Sequence, residues 1–323
     1  MSKTILGIDV GGSKVAIVEG TSSAIILQRR ELPTEPQRPF EATLGGLALL
    51  VDEVAENSER AGRKIVALSV SVGGPLRIKE GFLLDPPHLP GWHNAPLKKR
   101  LEERFPGLPV RIEHDGNAGA LAEFHFGVGR TRPGLEHLIF LTFGTGLGAG
   151  LIVNGRIVHG ATDTAGEVGH WRMSNDGPIA YGKIGSWEAF SSGAGLLQIA
   201  TERFPKRWNS TTPIRELVEA MVGGEEDALS IAMEAAVWMG RGLALLVDTL
   251  NPQVIVLGSL AVALGEKVLS PMRRIVEEEA LPQAAAACEI LPAALGARIG
   301  DVAALMAAYT DPTIKDLIGQ NCG

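Results

Sequence analysis

Thiols are scarce in this sequence. Two cysteines, Cys288 and Cys322, stand among 323 residues. That count excludes a site built from three or four thiolates, and it excludes a disulfide-stapled secreted scaffold. The two lie far apart in the chain, and both are expected to be free thiols. Basic charge is also short, with 30 Lys and Arg against 37 Asp and Glu, a net charge of −7. Without a basic footprint, a general nucleic-acid binder is not expected. The start, MSKTILGIDV, lacks the basic, apolar and small-residue order of a signal peptide. No run of 18 apolar residues is free of polar interruption, and the segment LGGLALLVDEV from Leu44 is broken by Asp52 and Glu53. A cytoplasmic protein with no membrane partner is expected.

Glycine is abundant instead. Forty glycines make up about 12% of the chain, against a usual ~7%. Such a surplus implies many tight turns or close backbone approaches. The length suggests two domains, either large enough to bury a core.

Strand and helix patterns alternate along the chain. ILGIDV (residues 5–10) and KVAIVEG (14–20) read as strands around a Gly-Gly turn, with SAIILQRREL as a third. Residues 40–61 carry Leu44, Leu47, Leu50, Val51 and Val54 at helical spacing. Residues 65–74 read as a strand, and four prolines make 83–96 an ordered loop. A short basic helix over 97–105, a strand over 110–116 and a helix over 117–126 follow. Residues 137–160 read as strand, glycine turn, strand and hairpin at Asn154-Gly155, repeating the opening pattern. Residues 161–192 read as mostly irregular. Helices are predicted over 193–204, 214–221, 228–250, 267–279 and 299–309, and VIVLGS (254–259) reads as a buried strand. The fold class is therefore α/β with mixed sheets.

Two glycine-rich turns share one logic: IDVGGSK (8–14) and TFGTGLGAG (142–150). Glycines let backbone N–H groups approach an anion closely, and a polyphosphate held by two such turns is one reading. A plain hairpin is the other. Neither turn is a G-x-x-x-x-G-K-[ST] loop, and the glycine spacing of the second does not fit a dinucleotide fingerprint. Asp9, at a strand end, would need a cation to meet phosphate, and Mg²⁺ would serve. In EHDGN, Asp115 suits either a general base for a hydroxyl or a cap for the following helix. Glu167, His170 and Glu188 lie in a glycine-rich segment that suits a polyol, a metal or a solvated loop. Trp92, Trp171 and Trp187 would flank a pocket or pack it shut.

Taken together, the motifs resemble the ROK sugar kinases. The matches are DVGGSK at 9–14, GGP at 73–75, LPGW at 89–92, HDGNAGALAE at 114–123, TFGTGLGAG at 142–150, GEVGH at 166–170 and NPQVIVLGS at 251–259. They span nearly the whole chain. The resemblance implies an actin-like ATPase (ribonuclease H-like) fold, a two-lobed clamp that closes over sugar and ATP. It implies a smaller first domain at 1–117, joined by a C-terminal helix around 298–323, a larger domain at 118–297, and a homodimer. By the same resemblance Asp115 is the base that deprotonates the sugar hydroxyl, and Asp9 organises Mg²⁺, through water. Gly11, Gly12, Ser13 and Lys14 form the first phosphate turn, and Gly144, Thr145 and Gly146 the second. Gly258 lies near the adenosine. Gly74, Asn94, His114, Asp115, Glu167, His170 and Glu188 face the sugar. Glucose is the first expectation for the acceptor, with N-acetylmannosamine, N-acetylglucosamine, mannose and fructose as rivals. Polyphosphate is a rival donor.

Three departures from the family pattern stand out. His114 occupies a position where the family often has Asn. The run Ser71-Val72-Gly73-Gly74-Pro75 keeps only the end of Gly-x-Pro-Gly-Pro. Many members carry Cys-x-Cys-Gly-x-x-Gly-Cys-x-Glu, whose thiolates bind zinc with the histidine. Here the cysteine positions are Ile179, Tyr181 and Ser186, although the glycines and Glu188 keep register. A lone histidine cannot make a tetrahedral site, so no zinc is expected, and packing by Ile179 and Tyr181 is expected in its place. Sugar-responsive repressors of the family carry a DNA-binding domain ahead of this part. With IDVGG starting at Ile8, no room for one is expected. A sugar-binding protein without turnover is the remaining alternative.

Overall fold

The computed structural model describes residues 1–319. Cys322, one of the two expected free thiols, lies outside the described residues, as does the end of the 298–323 segment. Two compact units divide the chain. The first comprises Met1–Phe126, His159–Thr164 and the described residues from Ala297 onward; the second comprises Gly127–Val158 and Ala165–Gly296.

The first unit is built on five strands: β1 (Ser2–Val10), β2 (Lys14–Gly20), β3 (Ile26–Pro33), β4 (Arg63–Val72) and β5 (Val110–His114). Their order is β3-β2-β1-β4-β5. The first three form an antiparallel meander, and β4 and β5 join in parallel. Central β1 is apolar on both faces because both are covered, and Ile5, Leu6 and Ile8 are fully buried. The Phe40–Arg60 helix buries Leu44, Leu47, Val51 and Val54, the spacing read from sequence. Each such side chain contributes about 1.5–3 kcal/mol of burial. Glycine has a specific use here. A Cβ on Gly7 would lie 2.9 Å from Ala304, and one on Gly20 2.3 Å from Leu305. Strand β1 must be bare at Gly7 for the backbone of the C-terminal segment to return against it, whereas at Gly20 the Leu305 side chain would have to shift. That segment is two short helices, Ile299–Ala303 and Met306–Tyr309, not the single helix expected over 299–309.

The second unit repeats the plan. Strands β6 (Leu138–Leu141), β7 (Ala149–Val153), β8 (Arg156–Ile157), β9 (Val254–Leu257) and β10 (Glu289–Pro292) run in the order β8-β7-β6-β9-β10. Again a three-stranded antiparallel meander is followed by two parallel strands. Both sheets are mixed and flanked by helices, the actin-like two-lobed α/β fold. Length and composition alone would let the Glu226–Leu250 helix cross a membrane, but 61% of its most apolar window is buried. Ile231, Ala235, Met239 and Leu243 line its core face. The segment 161–192, expected to be mostly irregular, holds a turn at Val168–His170, a hairpin of Ile179–Ala180 with Lys183–Ile184, and a helix at Trp187–Ser191. Its strands are only two residues long, too short to show a period in the sequence.

Candidate active site

In the first unit the expected residues gather at the carboxyl ends of parallel strands, where open α/β sheets bind ligands. Asp9, Ser71 and Glu113 form one rung across β1, β4 and β5, and Val10, Val72 and His114 form the next. Beyond β1, Gly11 N–H donates to the Lys14 carbonyl at 3.0 Å. The Gly11 and Ser13 carbonyls are taken by the Thr34 hydroxyl and the Thr34 N–H. The Gly12 and Ser13 N–H groups have no backbone partner among the described residues. Lys14 pairs with Glu31 at 3.5 Å, both exposed.

Asp9 is held far above the usual carboxylate range, at about 7. Burial is the main cause, and the Asp115 charge is the next; Asp301 adds to it, while Ser71 and Lys14 pull the other way. A Cβ on Gly300 would stand 2.8 Å from Asp9 Oδ2, so the carboxylate lies directly against that glycine.

The β5 end organises Asp115. Buried Glu113 accepts from the His114 N–H and from Asn117 Nδ2, each at 2.9 Å. His159 Nε2 pairs with the other Glu113 oxygen at 2.9 Å, and that bond raises the His159 pKa. His114 Nδ1 lies 3.2 Å from Asp115 Oδ1. Its ring rests on Gly74, where a Cβ would come within 2.8 Å. Asp115 opens the Asp115–Phe126 helix and accepts from the adjacent Gly116 N–H at 2.7 Å. A helix cap serves the amide two or three residues on, so this bond is not the capping bond. The side chain is 49% exposed. Asn94 has a positive φ of 52°, and its Nδ2 lies 2.6 Å from His93 Nε2.

In the second unit the 142–148 turn follows β6. Thr142 and Gly148 close it by reciprocal bonds. The Gly144 and Thr145 carbonyls accept from Gly193 and Ala194, at the start of the Gly193–Arg203 helix. With those carbonyls engaged, the Thr145 and Gly146 N–H groups have no backbone partner among the described residues. Gly258 ends β9 against the Leu141 carbonyl. Ser259 follows at φ +29°, and its hydroxyl faces Gly144, where a Cβ would stand 3.3 Å away.

Glu167, His170 and Glu188 lie together in the second unit. Glu167 and His170 approach to 4.0 Å. His170 stacks on Tyr181 with centroids 3.7 Å apart. Tyr181 donates its hydroxyl to Glu188 Oε2, which also accepts the Leu147 N–H at 2.8 Å. Trp171 and Trp187 stack at 5.6 Å. Of the three positions where relatives place thiolates, only Tyr181 packs as expected. The Ile179 side chain is 52% exposed, and its backbone is what is tied, to Gln198. The buried Ser186 hydroxyl caps the Trp187–Ser191 helix. Among the described residues no group of three or more His, Cys, Asp or Glu is placed to hold a metal. Burial lifts the Cys288 thiol to about 12, so it is not a nucleophile at neutral pH.

Gly300, Ser259 and His159 were not singled out from sequence. Their roles come from contacts to residues distant in the chain, which carry no local motif.

Comparison with known proteins identifies the family. The ROK family matches residues 5–310. A glucokinase of Halalkalibacterium halodurans is 30% identical over 90% of this chain and 90% of its own. A putative xylose repressor of a Caldicellulosiruptor species is 32% identical over 85% of this chain and 70% of its own. The crystal structure of a ROK glucokinase from Streptomyces griseus, in complex with glucose and AMPPNP, superimposes with a TM-score of 0.76. That match has 30% identity over 94% of this chain and 98% of the other. With matched motifs at both sets of strand ends, this chain belongs to the ROK family and carries its sugar-kinase fold.

Proposed function

We propose that this protein is an ATP-dependent sugar kinase that phosphorylates a hexose hydroxyl, with glucose as the acceptor. The observation that carries the reading is Asp115. Its half-exposed carboxylate stands at a strand end, and its bond to the adjacent amide is not a capping bond. In this reading Asp115 takes the proton of the acceptor hydroxyl as that oxygen attacks the γ-phosphorus, and ADP leaves in line. The free amides of Gly12, Ser13, Thr145 and Gly146 would donate to phosphate oxygens. Glu167, His170 and Glu188 would accept and donate hydrogen bonds to sugar hydroxyls. Asp9 suits the family's Mg²⁺: a carboxylate raised chiefly by burial, and next by the Asp115 charge, is relieved by a divalent cation with oxygen ligands. Mg²⁺, when bound with the nucleotide, would neutralise charge on the phosphates. Glucose is supported by the glucokinase relative and by the glucose complex of the similar structure.

The test is ADP formation from ATP with glucose, mannose, fructose, N-acetylglucosamine and N-acetylmannosamine, compared by kcat/KM. Glucose is expected to lead. A different leading sugar overturns glucose alone; no turnover with any sugar or donor overturns the kinase reading. A second reading, a sugar-binding regulator without turnover, is favoured by the repressor relative. It requires sugar binding in calorimetry with no ADP formed. The expected homodimer is tested by light scattering.

A further inference from the structure

We propose that Tyr181 is the positioning residue of the sugar-reading loop, its ring fixing His170 and its hydroxyl fixing Glu188. This rests on the reading of His170 and Glu188 as sugar contacts. The hairpin Ile179–Ala180 with Lys183–Ile184 turns through two residues, Tyr181 and Gly182, at φ +55° and +65°. Two-residue hairpin loops with both φ values positive favour Asn-Gly and Gly-Gly. A bulky aromatic at the first position is unfavourable there by itself, and its local strain is compensated by contacts elsewhere.

Two contacts stand out. The Tyr181 ring stacks on the His170 imidazole at 3.7 Å and 18°. Its hydroxyl donates to Glu188 Oε2. The hairpin grips His170 a second time, because Lys183 Nζ donates to the His170 carbonyl at 2.7 Å. Glu188 Oε2 is shared with the Leu147 N–H of the glycine turn. One carboxylate oxygen thus accepts two protein donors, and in this proposal the other is left for a ligand hydroxyl. A single side chain sets the rotamer of one sugar-reading group and the ring plane of another. Through Leu147 it also ties both to the 142–148 turn. A carboxylate held by two donors loses no further freedom when a sugar hydroxyl arrives, so less affinity is lost to ordering.

The experiment measures glucose affinity by calorimetry without nucleotide, then kcat and both KM values, for wild type, Tyr181→Phe, Tyr181→Leu and Glu188→Gln. Tyr181→Phe keeps the stack and loses the hydroxyl. It is expected to weaken glucose binding about tenfold, the loss of one charge-assisted hydrogen bond. The KM for ATP and the melting temperature should stay near wild type. Tyr181→Leu, losing both contacts, is expected to weaken binding further. In a Glu188→Gln background, Tyr181→Phe should add less than about twofold, because the pair acts as a unit. Unchanged glucose affinity in Tyr181→Phe overturns the proposal, as does a full tenfold effect in the Glu188→Gln background. So does an equal rise in both KM values with a lowered melting temperature, the mark of general loosening. If wild type binds none of the five sugars of the activity screen, the kinase reading fails and this proposal with it. If wild type binds and Tyr181→Phe binds equally, only this proposal fails.

Discussion

Replacing Asp9 by Asn should make the protein more stable and inactive, and the gain should grow with pH. Asp9 has an ordinary value of 3.8, raised to about 7 by burial and the Asp115 charge. The sign follows from proton counts. Below 3.8 the carboxyl is protonated in both folded and unfolded chains, so it imposes no cost. Between 3.8 and about 7 the unfolded chain has lost the proton and the native state retains it. Stability therefore falls as pH rises through this window. At 1.36 kcal/mol per pH unit the full penalty above pH 7 is about 4 kcal/mol. Loss of the favourable Ser71 and Lys14 interactions in the Asn variant reduces the gain to about 2–4 kcal/mol. Urea unfolding of wild type and Asp9→Asn, in EDTA from pH 5 to 8.5, reads the difference directly. The variant should gain on wild type by about 2 kcal/mol or more across that range. Added Mg²⁺ and ATP should then stabilise wild type and leave the variant unmoved. A stability difference that is flat in pH refutes the argument that Asp9 is a strained carboxylate. Full activity in Asp9→Asn refutes its place at the nucleotide.

Asp115→Asn is expected to lower kcat by about 10²–10⁴-fold while glucose affinity in calorimetry changes little; near-normal turnover removes Asp115 as base. Gly74→Ala pushes a methyl to within 2.8 Å of the His114 ring, and should raise the glucose KM about tenfold by displacing that ring. The shorter Asn at 114, in Gly74→Ala with His114→Asn, should recover most of the loss, and no recovery disproves the clash. Glu19 is fully buried among Thr4, Gln28, Ser58 and Arg63. Burial alone raises its carboxyl, but the Arg63 bond and the three others outweigh it and leave it at about 2. Its stabilisation is therefore present above 4.5 and lost as pH falls toward 2. Glu19→Gln should flatten that acid limb in unfolding titrations, and an unchanged limb argues against it. Metal analysis of purified protein should find far less than one zinc per chain; stoichiometric zinc overturns the reading of the 179–188 loop.

Much of the fold was legible because its signals are local. Leu44, Leu47, Val51 and Val54 mark a helix face whatever packs on it. The apolar run of β1 and the Gly-Gly turn after it announce a hairpin within a dozen residues. The motif HDGN carried Asp115 to the end of β5, since a strand of apolar alternation that ends in charge is visible in a short window. Residues 161–192 are mostly irregular as read, but that reading missed a hairpin whose strands are two residues long and which is held by Gln198 and, through Glu188, by Leu147.

The sequence by itself determined the α/β class, the two glycine turns, and the absence of enough cysteine for a zinc-binding loop. These depend on composition and on spacing within one turn or strand. Only the tertiary structure decided what replaces the thiolates. Tyr181 stacks on His170 and holds Glu188, whereas Ile179 points outward, and nothing at 179 or 181 distinguishes the two in advance. It alone placed Gly300 under Asp9, Gly74 under His114 and His159 on Glu113. Such pairs are close-packing events between segments up to some 290 residues apart, and a sequence records the residues but not which distant neighbour presses on them.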